Sequence, residues 1–143
     1  MKIDHINIVV SDLKQSSDFF QILGFTIEDE ALLKGEWISK VVGFPDTEAR
    51  YIKMKLPDDT IFLELIEYYN PVGAKDPDIG KPNQVGFRHI AFNVRNIESL
   101  TEKLEEANIE LFSDIQVFPK TGKKIIYFKG PDDIILELAE YKT

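Results

Sequence analysis

Hydrophobic and polar residues alternate along several short stretches of the chain, and a period of two is typical of β-strands. The alternation predicts eight strands, near 2–10, 25–30, 50–56, 60–67, 86–94, 109–116, 123–129 and 133–141. Two other segments follow a helical period. Ser11 or Asp12 caps the first, which runs to about Leu23, and Asn96 caps the second, which runs to about Ala107. The predicted order is therefore strand, helix and three strands, twice over.

Each predicted helix has one apolar side, as expected where a helix packs on a sheet. The apolar residues are Leu13, Phe20 and Leu23 in the first helix and Ile97, Leu100, Leu104 and Ala107 in the second. Gly24 suits the position just past the end of the first helix. These features predict an α+β fold.

The chain contains an internal repeat of one module. HINIVV at residue 5 corresponds to HIAFNV at residue 89, and IFLELIEYY at 61–69 corresponds to IILELAEYK at 134–142. The offset is 84 residues at the openings and 73 at the closing strands, so the first copy has about 11 more residues, which we place within 31–50. One domain over 1–143 is expected, with module one at about 1–69, a Pro- and Gly-rich linker at about 70–85 and module two at about 86–143.

Composition excludes several classes of protein. The chain has 143 residues, 43% hydrophobic and 29% charged, which is typical of a globular fold with a sizeable core. It contains no cysteine, so disulfides, thiolate metal sites and cysteine nucleophiles are excluded. The formal net charge is −8 with scattered basic residues, which disfavours nucleic acid and anionic membranes as partners. No signal peptide or membrane span is apparent, and a cytoplasmic location is expected.

Both histidines of the chain occupy the same position of the two repeats. Alternation places His5 and His89 on one face of their strands, while Glu64 and Glu137 each stand between leucines in an apolar strand. A buried carboxylate requires a partner, and two imidazoles with two carboxylates form a mixed nitrogen and oxygen donor set. Such a set suits one divalent ion, Zn, Ni, Co, Mn or Fe.

Each of these residues could instead have a purely structural or solvent-exposed role. A single histidine in a strand is more often structural than ligating, and it is the repeat that favours a metal site. Glu67 and Glu140 have the opposite strand parity, and we interpret them as solvated. The insert 31–50, with Trp37, is either a lid or an ordinary surface loop. The basic stretch PKTGKK at 119–124, with Lys120, Lys123 and Lys124, is either a site for an anionic group or a solvated turn.

The sequence resembles the vicinal oxygen chelate superfamily, which includes glyoxalase I, methylmalonyl-CoA epimerase, bleomycin and fosfomycin resistance proteins and extradiol dioxygenases. The resemblance covers nearly the whole chain and rests on DHINIVVSDLKQSSDFFQILGF, FLELIEY, GFRHIAFNV and FKGPDDIILELAEY. It implies two tandem βαβββ modules that form an open, cup-shaped mixed β-sheet barrel with the helices outside. It also implies the ligand order His, Glu, His, Glu, which falls on His5, Glu64, His89 and Glu137.

A fourth ligand at Glu64 favours the glyoxalase and epimerase branch of this superfamily. The implied function is a metal-dependent lyase or isomerase that removes a proton next to a metal-chelated carbonyl, with Glu137 as principal base and Glu64 or Glu48 as the second. The implied substrate is a small molecule, either a thiol adduct or an acyl-CoA. Val9 stands where bacterial lactoylglutathione lyases carry a glutathione-binding arginine, which argues against glutathione.

Two other functions remain open from the sequence. A non-catalytic binder of small molecules, as in antibiotic resistance, is the first, although such binders often lose the metal ligands. A ring-cleaving dioxygenase is the second. A homodimer is expected in each case, because many members of the superfamily form homodimers and exposed strand edges favour association.

Overall fold

The computed structural model describes all 143 residues, which form two four-stranded mixed sheets with helices and the turns and loops between them. The chain divides into two units, Met1–Lys75 and Asp76–Thr143, which we call unit 1 and unit 2. The division falls within the linker predicted at 70–85. That the units form one domain stays a prediction.

Unit 1 contains four strands and two helices, in the order β1 (His5–Val9), α1 (Leu13–Ile22), β2 (Thr26–Lys34), α2 (Glu36–Val42), β3 (Glu48–Lys55) and β4 (Phe62–Asn70). The strand order in its sheet is β1-β4-β3-β2. β1 and β4 are parallel, and the other neighbours are antiparallel. Phe20, Met54 and Leu65 are fully buried where α1 packs on β3 and β4.

Unit 2 repeats this arrangement with one helix fewer. Its elements are β5 (His89–Asn93), α3 (Ile97–Glu106), β6 (Gln116–Val117), β7 (Lys124–Lys129), a 3-10 turn (Pro131–Asp133) and β8 (Ile135–Glu140). The strand order is β5-β8-β7-β6, with β5 and β8 parallel. The predicted α+β class and the two tandem βαβββ modules are confirmed.

The helix caps agree with the sequence. The side chain of Asp12 accepts a hydrogen bond from the amide of Gln15 at the start of α1, and Asn96 accepts one from Ser99 at the start of α3. Gly24 follows α1 with a φ of 94°, a left-handed conformation that glycine adopts without strain.

Three details of the prediction differ from the structure. The insert 31–50 contains the helix α2, which the sequence pattern did not indicate. The strand predicted at 109–116 is reduced to two residues of β6 and a bridge at Leu111. Ala107 is exposed, and Thr101 is buried beside Ile97 and Leu104 in its place.

The interpretation of Glu67 and Glu140 as solvated is wrong. Oε2 of Glu67 accepts a hydrogen bond of 2.9 Å from the amide of Leu13, the first residue of α1. Oε2 of Glu140 accepts one of the same length from the amide of Ile97, the first residue of α3. Amides in the first turn of a helix lack intrahelical partners, and the helix dipole favours a carboxylate there. Each closing strand is therefore joined to the helix of its own unit.

None of the helices is long and apolar enough to cross a membrane.

Candidate functional site

In unit 2, His89 and Glu137 lie in contact on one face of the sheet. The register pairs Ala91 of β5 with Glu137 of β8, and His89 precedes Ala91 by two residues, so all three project to the same side. Nε2 of His89 lies 3.0 Å from Oε2 of Glu137, a hydrogen-bond distance. Glu137 is only 5% exposed. The predicted burial of this carboxylate and its need for a partner are both met.

Two further side chains surround the carboxylate of Glu137. Nζ of Lys123 lies 3.6 Å from its Oε1, and the register pairs Tyr127 of β7 with Glu137. The ring of Tyr127 lies 5.1 Å from that of His89. Burial raises the pKa of Tyr127 above its ordinary value, and the negative charge of Glu137 raises it further. The carboxylate therefore lies between a nitrogen donor and a cation.

In unit 1, His5 and Glu64 occupy the equivalent positions. The register pairs Asn7 of β1 with Glu64 of β4, and His5 precedes Asn7 by two residues. Nδ2 of Asn7 donates a hydrogen bond of 2.9 Å to Oε1 of Glu64. Asn7 thus stands where unit 2 has Ala91, and an amide holds the carboxylate of Glu64.

The imidazole of His5 is oriented by the preceding residue. Its Nδ1 lies 2.6 Å from Oδ2 of Asp4, and this hydrogen bond holds the pKa of Asp4 below its ordinary value. When Nδ1 carries the proton of that bond, Nε2 keeps its lone pair. A histidine that binds a metal through one ring nitrogen usually donates the N–H of the other to a carboxylate, which fixes the orientation of the ring.

Polar side chains of β2 and β3 share the face that carries Glu64. Lys53 is the cross-strand partner of Glu64, and its Nζ lies 3.9 Å from the centroid of the Phe62 ring. The hydroxyl of Tyr51 donates a hydrogen bond of 2.6 Å to Oδ2 of Asp29. This hydrogen bond raises the pKa of Tyr51, and burial and the charges of Asp29 and Glu64 add to it.

The structure does not bring Glu48 to Glu64. Glu48 begins β3, and its Oε2 lies 2.9 Å from Nζ of Lys34. Five residues separate Glu48 from Lys53, the partner of Glu64, which corresponds to about 17 Å along the strand. Val9 lies on the same face of β1 as His5 and is half exposed.

The insert and the basic stretch contain several ion pairs. Lys40 contacts Glu36 in α2, and Trp37 is 58% exposed. In the basic stretch, Lys124 contacts Glu98 and Glu140. The side chain of Lys124 therefore lies on the face of the sheet that packs against α3, whereas that of Lys123 contacts Glu137 on the opposite face.

The donor chemistry fits a divalent metal, but no group of three or more His, Asp or Glu side chains is gathered around one point in the structure. Each unit supplies one imidazole and one carboxylate at equivalent positions of its sheet. Nitrogen and oxygen donors of this kind suit borderline divalent ions. The set of four ligands stays a prediction.

Sequence reasoning assigned no role to Asn7, Asp4 or Tyr127. The parity of β1 places Asn7 on the face of His5, which was a usable signal. Its contact with Glu64 depends on a register between residues 57 positions apart, which one sequence does not give.

Comparison with known proteins agrees with this architecture. The sequence profile of the Glyoxalase/Bleomycin resistance protein/Dioxygenase superfamily matches residues 2–138. The chain is 29% identical to the uncharacterized protein YaeR of Escherichia coli (strain K12), with 97% of this chain and 95% of YaeR covered.

Two solved structures illustrate the range of similar folds. A glyoxalase family protein from Bacillus cereus is 25% identical with a TM-score of 0.91, and the alignment covers 100% of this chain and 95% of that one. A mutant of the fosfomycin resistance protein FosX of Listeria monocytogenes, in complex with Mn(II) and 1S,2S-dihydroxypropylphosphonic acid, is 17% identical with a TM-score of 0.61 over 99% of this chain and 93% of that one. The chain described here belongs to the Glyoxalase/Bleomycin resistance protein/Dioxygenase superfamily.

Proposed function

We propose that the protein is a metal-dependent, glyoxalase-like lyase or isomerase that uses one divalent ion bound by His5, Glu64, His89 and Glu137. The observation that carries the proposal is the equivalent placement of these residues. In both units the histidine stands two residues before the strand position that pairs with the glutamate. The two sheets together thus supply the two imidazoles and two carboxylates that a single-ion site of this kind requires.

When bound, a divalent ion supplies Lewis acidity to a chelated carbonyl and favours loss of a proton from the neighbouring carbon. Glu137 is the principal base, and its carboxylate accepts that proton and becomes a carboxylic acid. Glu64 is the second acid or base, because Asn7 fixes one of its oxygens and leaves the other for the ion or the substrate. Glu48 is less suited to this role, since Lys34 binds its carboxylate.

The expected substrate is a small molecule with two adjacent oxygens, such as a thiol adduct or an acyl-CoA. Val9 presents an apolar side chain on the face of His5 and offers no cation for the carboxylates of glutathione. Glutathione is accordingly not the thiol that we expect.

A non-catalytic small-molecule binder is the second candidate. The observation in its favour is that Lys123 contacts Oε1 of Glu137, so the carboxylate already has a counter-charge without a metal. Metal content separates the two candidates, because the enzyme requires the ion and this binder does not.

The test of the proposed function is elemental analysis of the purified protein, before and after incubation with Zn, Ni, Co or Mn. We expect about one ion per chain in the wild type and almost none in His89→Ala and Glu137→Gln, since each change removes a ligand. Glu110→Gln is the matched control, because Glu110 is exposed and pairs only with Lys129. Wild-type protein that takes up none of these ions would refute the enzyme and favour the binder.

A further inference from the structure

The ammonium group of Lys123 is directed to a residue that the proposed function assigns to a metal. Its Nζ lies 3.6 Å from Oε1 of Glu137, and the lysine side chain is only 21% exposed. Lys124, the next residue, is bound by Glu98 and Glu140. Lys120 lies exposed in the preceding turn. Of the three lysines in this stretch, Lys123 alone contacts the candidate site.

Local charge changes when an ion occupies the site. The carboxylates of Glu64 and Glu137 together match the charge of one divalent cation, and a ligating histidine is neutral. Lys123 then shares the carboxylate of Glu137 with the ion, and its ammonium lies 5.2 Å from the ring centroid of Tyr141. A partly buried ammonium whose counter-charge is shared with a divalent ion is incompletely compensated, and an anion supplied by the substrate would complete the compensation.

We propose that Lys123 selects substrates that carry a carboxylate in addition to the two oxygens that chelate the metal. This inference rests on the proposed function and specifies the substrate class of the same site. The one ammonium in contact with Glu137 matches the single charge of a carboxylate, and Lys53, on the face of Glu64, lies over the Phe62 ring. A phosphate or phosphonate, which carries a larger charge, is better matched by several cations, and Lys124 is occupied by two glutamates.

A matched pair of probes tests this selection. Malate and 2-hydroxybutyrate offer the same hydroxyl and carboxylate for chelation, but malate adds a second carboxylate where 2-hydroxybutyrate has a methyl group. Their binding to Mn(II)-loaded protein can be followed by water proton relaxation, because a chelating probe displaces water from the ion. We expect wild type to bind malate about tenfold more tightly, the effect of one charge-assisted hydrogen bond.

Three variants separate the role of Lys123 from that of its neighbours. Lys123→Met should bind both probes equally, whereas Lys123→Arg, which keeps the charge, should retain the preference for malate. Lys120→Met is the control within the same stretch and should behave as wild type. A loss of preference in Lys123→Met, with Mn(II) still bound and the preference kept in Lys123→Arg, supports the inference.

The failures of the two proposals are distinguishable. If wild type and Lys123→Met both bind Mn(II) and show the same preference, the inference is overturned and the proposed function stands. If wild type binds Mn(II) but does not prefer malate to 2-hydroxybutyrate, the inference is likewise overturned and the proposed function stands. If no protein in the series binds Mn(II), the proposed function fails and the inference fails with it.

Discussion

The hydroxyl of Tyr51 donates a hydrogen bond to Asp29 on the sheet face that also carries Glu64. A negatively charged acceptor stabilises the phenol relative to the phenolate, so the pKa of Tyr51 is raised above about 10. Asp29→Asn removes the largest cause and should lower this pKa. Tyrosinate absorbance during an alkaline titration measures it, and the difference from Tyr51→Phe assigns the signal.

Stability should follow the same titration. Because the pKa of Tyr51 is raised in the folded state, the interaction contributes its full free energy below about pH 10 and loses it as the pH rises through the folded pKa. Wild type and Asp29→Asn should therefore differ in stability at neutral pH and converge at alkaline pH. Asp58→Asn, at an exposed turn, is the control. A constant difference across this range would contradict the assignment.

At the scale of elements, β4 and β8 each carry two glutamates three residues apart. An odd spacing in a strand places two side chains on opposite faces. Glu64 and Glu137 lie on the face of the candidate site, and Glu67 and Glu140 bind the first amides of α1 and α3. Each closing strand thus carries a candidate ligand on one face and is anchored to a helix on the other.

Removing either anchor should destabilise the fold without touching the candidate site. We expect Glu67→Gln and Glu140→Gln to lower the free energy of unfolding by about 1 kcal/mol each, since both lose a charged acceptor at a helix N-terminus. Urea unfolding measures the change. Glu102→Gln, exposed in the middle of α3, should change stability little. Unaltered stability in both anchor variants would refute the capping role.

The pattern of hydrophobic residues was sufficient for β1, α1, β5 and α3, because these elements alternate or recur with one clear period. It failed for α2, a helix of seven residues between Gly35 and Gly43. Trp37 and Val41 are exposed in that helix, so its apolar residues do not mark a buried side. Glu67 and Glu140 were misinterpreted for a related reason, since their partners are amides of another element, which strand parity alone does not reveal.

At the scale of the whole molecule, the proposed site draws on both units of the chain. One ion held by four ligands requires both His–Glu pairs, whereas two independent pairs would each bind an ion weakly. His5→Ala with Glu64→Gln, which leaves unit 2 intact, should therefore abolish binding rather than halve it. Calorimetric titration with Zn(II) gives the stoichiometry. Two ions per wild-type chain, or one retained in the double variant, would contradict a shared site.

The duplication explains why so much of the candidate site could be predicted. The two histidines and two closing strands align by eye, and alternation fixes the face of each side chain. The neighbours that give each carboxylate its environment differ between the copies: Asn7 and Lys53 surround Glu64, and Lys123 and Tyr127 surround Glu137. These neighbours come from register and loop geometry, which repetition does not conserve.

The helix α2 has a consequence for spectroscopy. Trp37 is the only tryptophan of the chain, and 58% of its surface is exposed, outside the buried core. Its fluorescence therefore reports on the insert and on whatever covers it, and a quencher in solution reaches it in the native state. Loss of the core would change this emission little. The chain thus carries a built-in optical probe of one surface helix, well suited to detecting a ligand or partner that settles there.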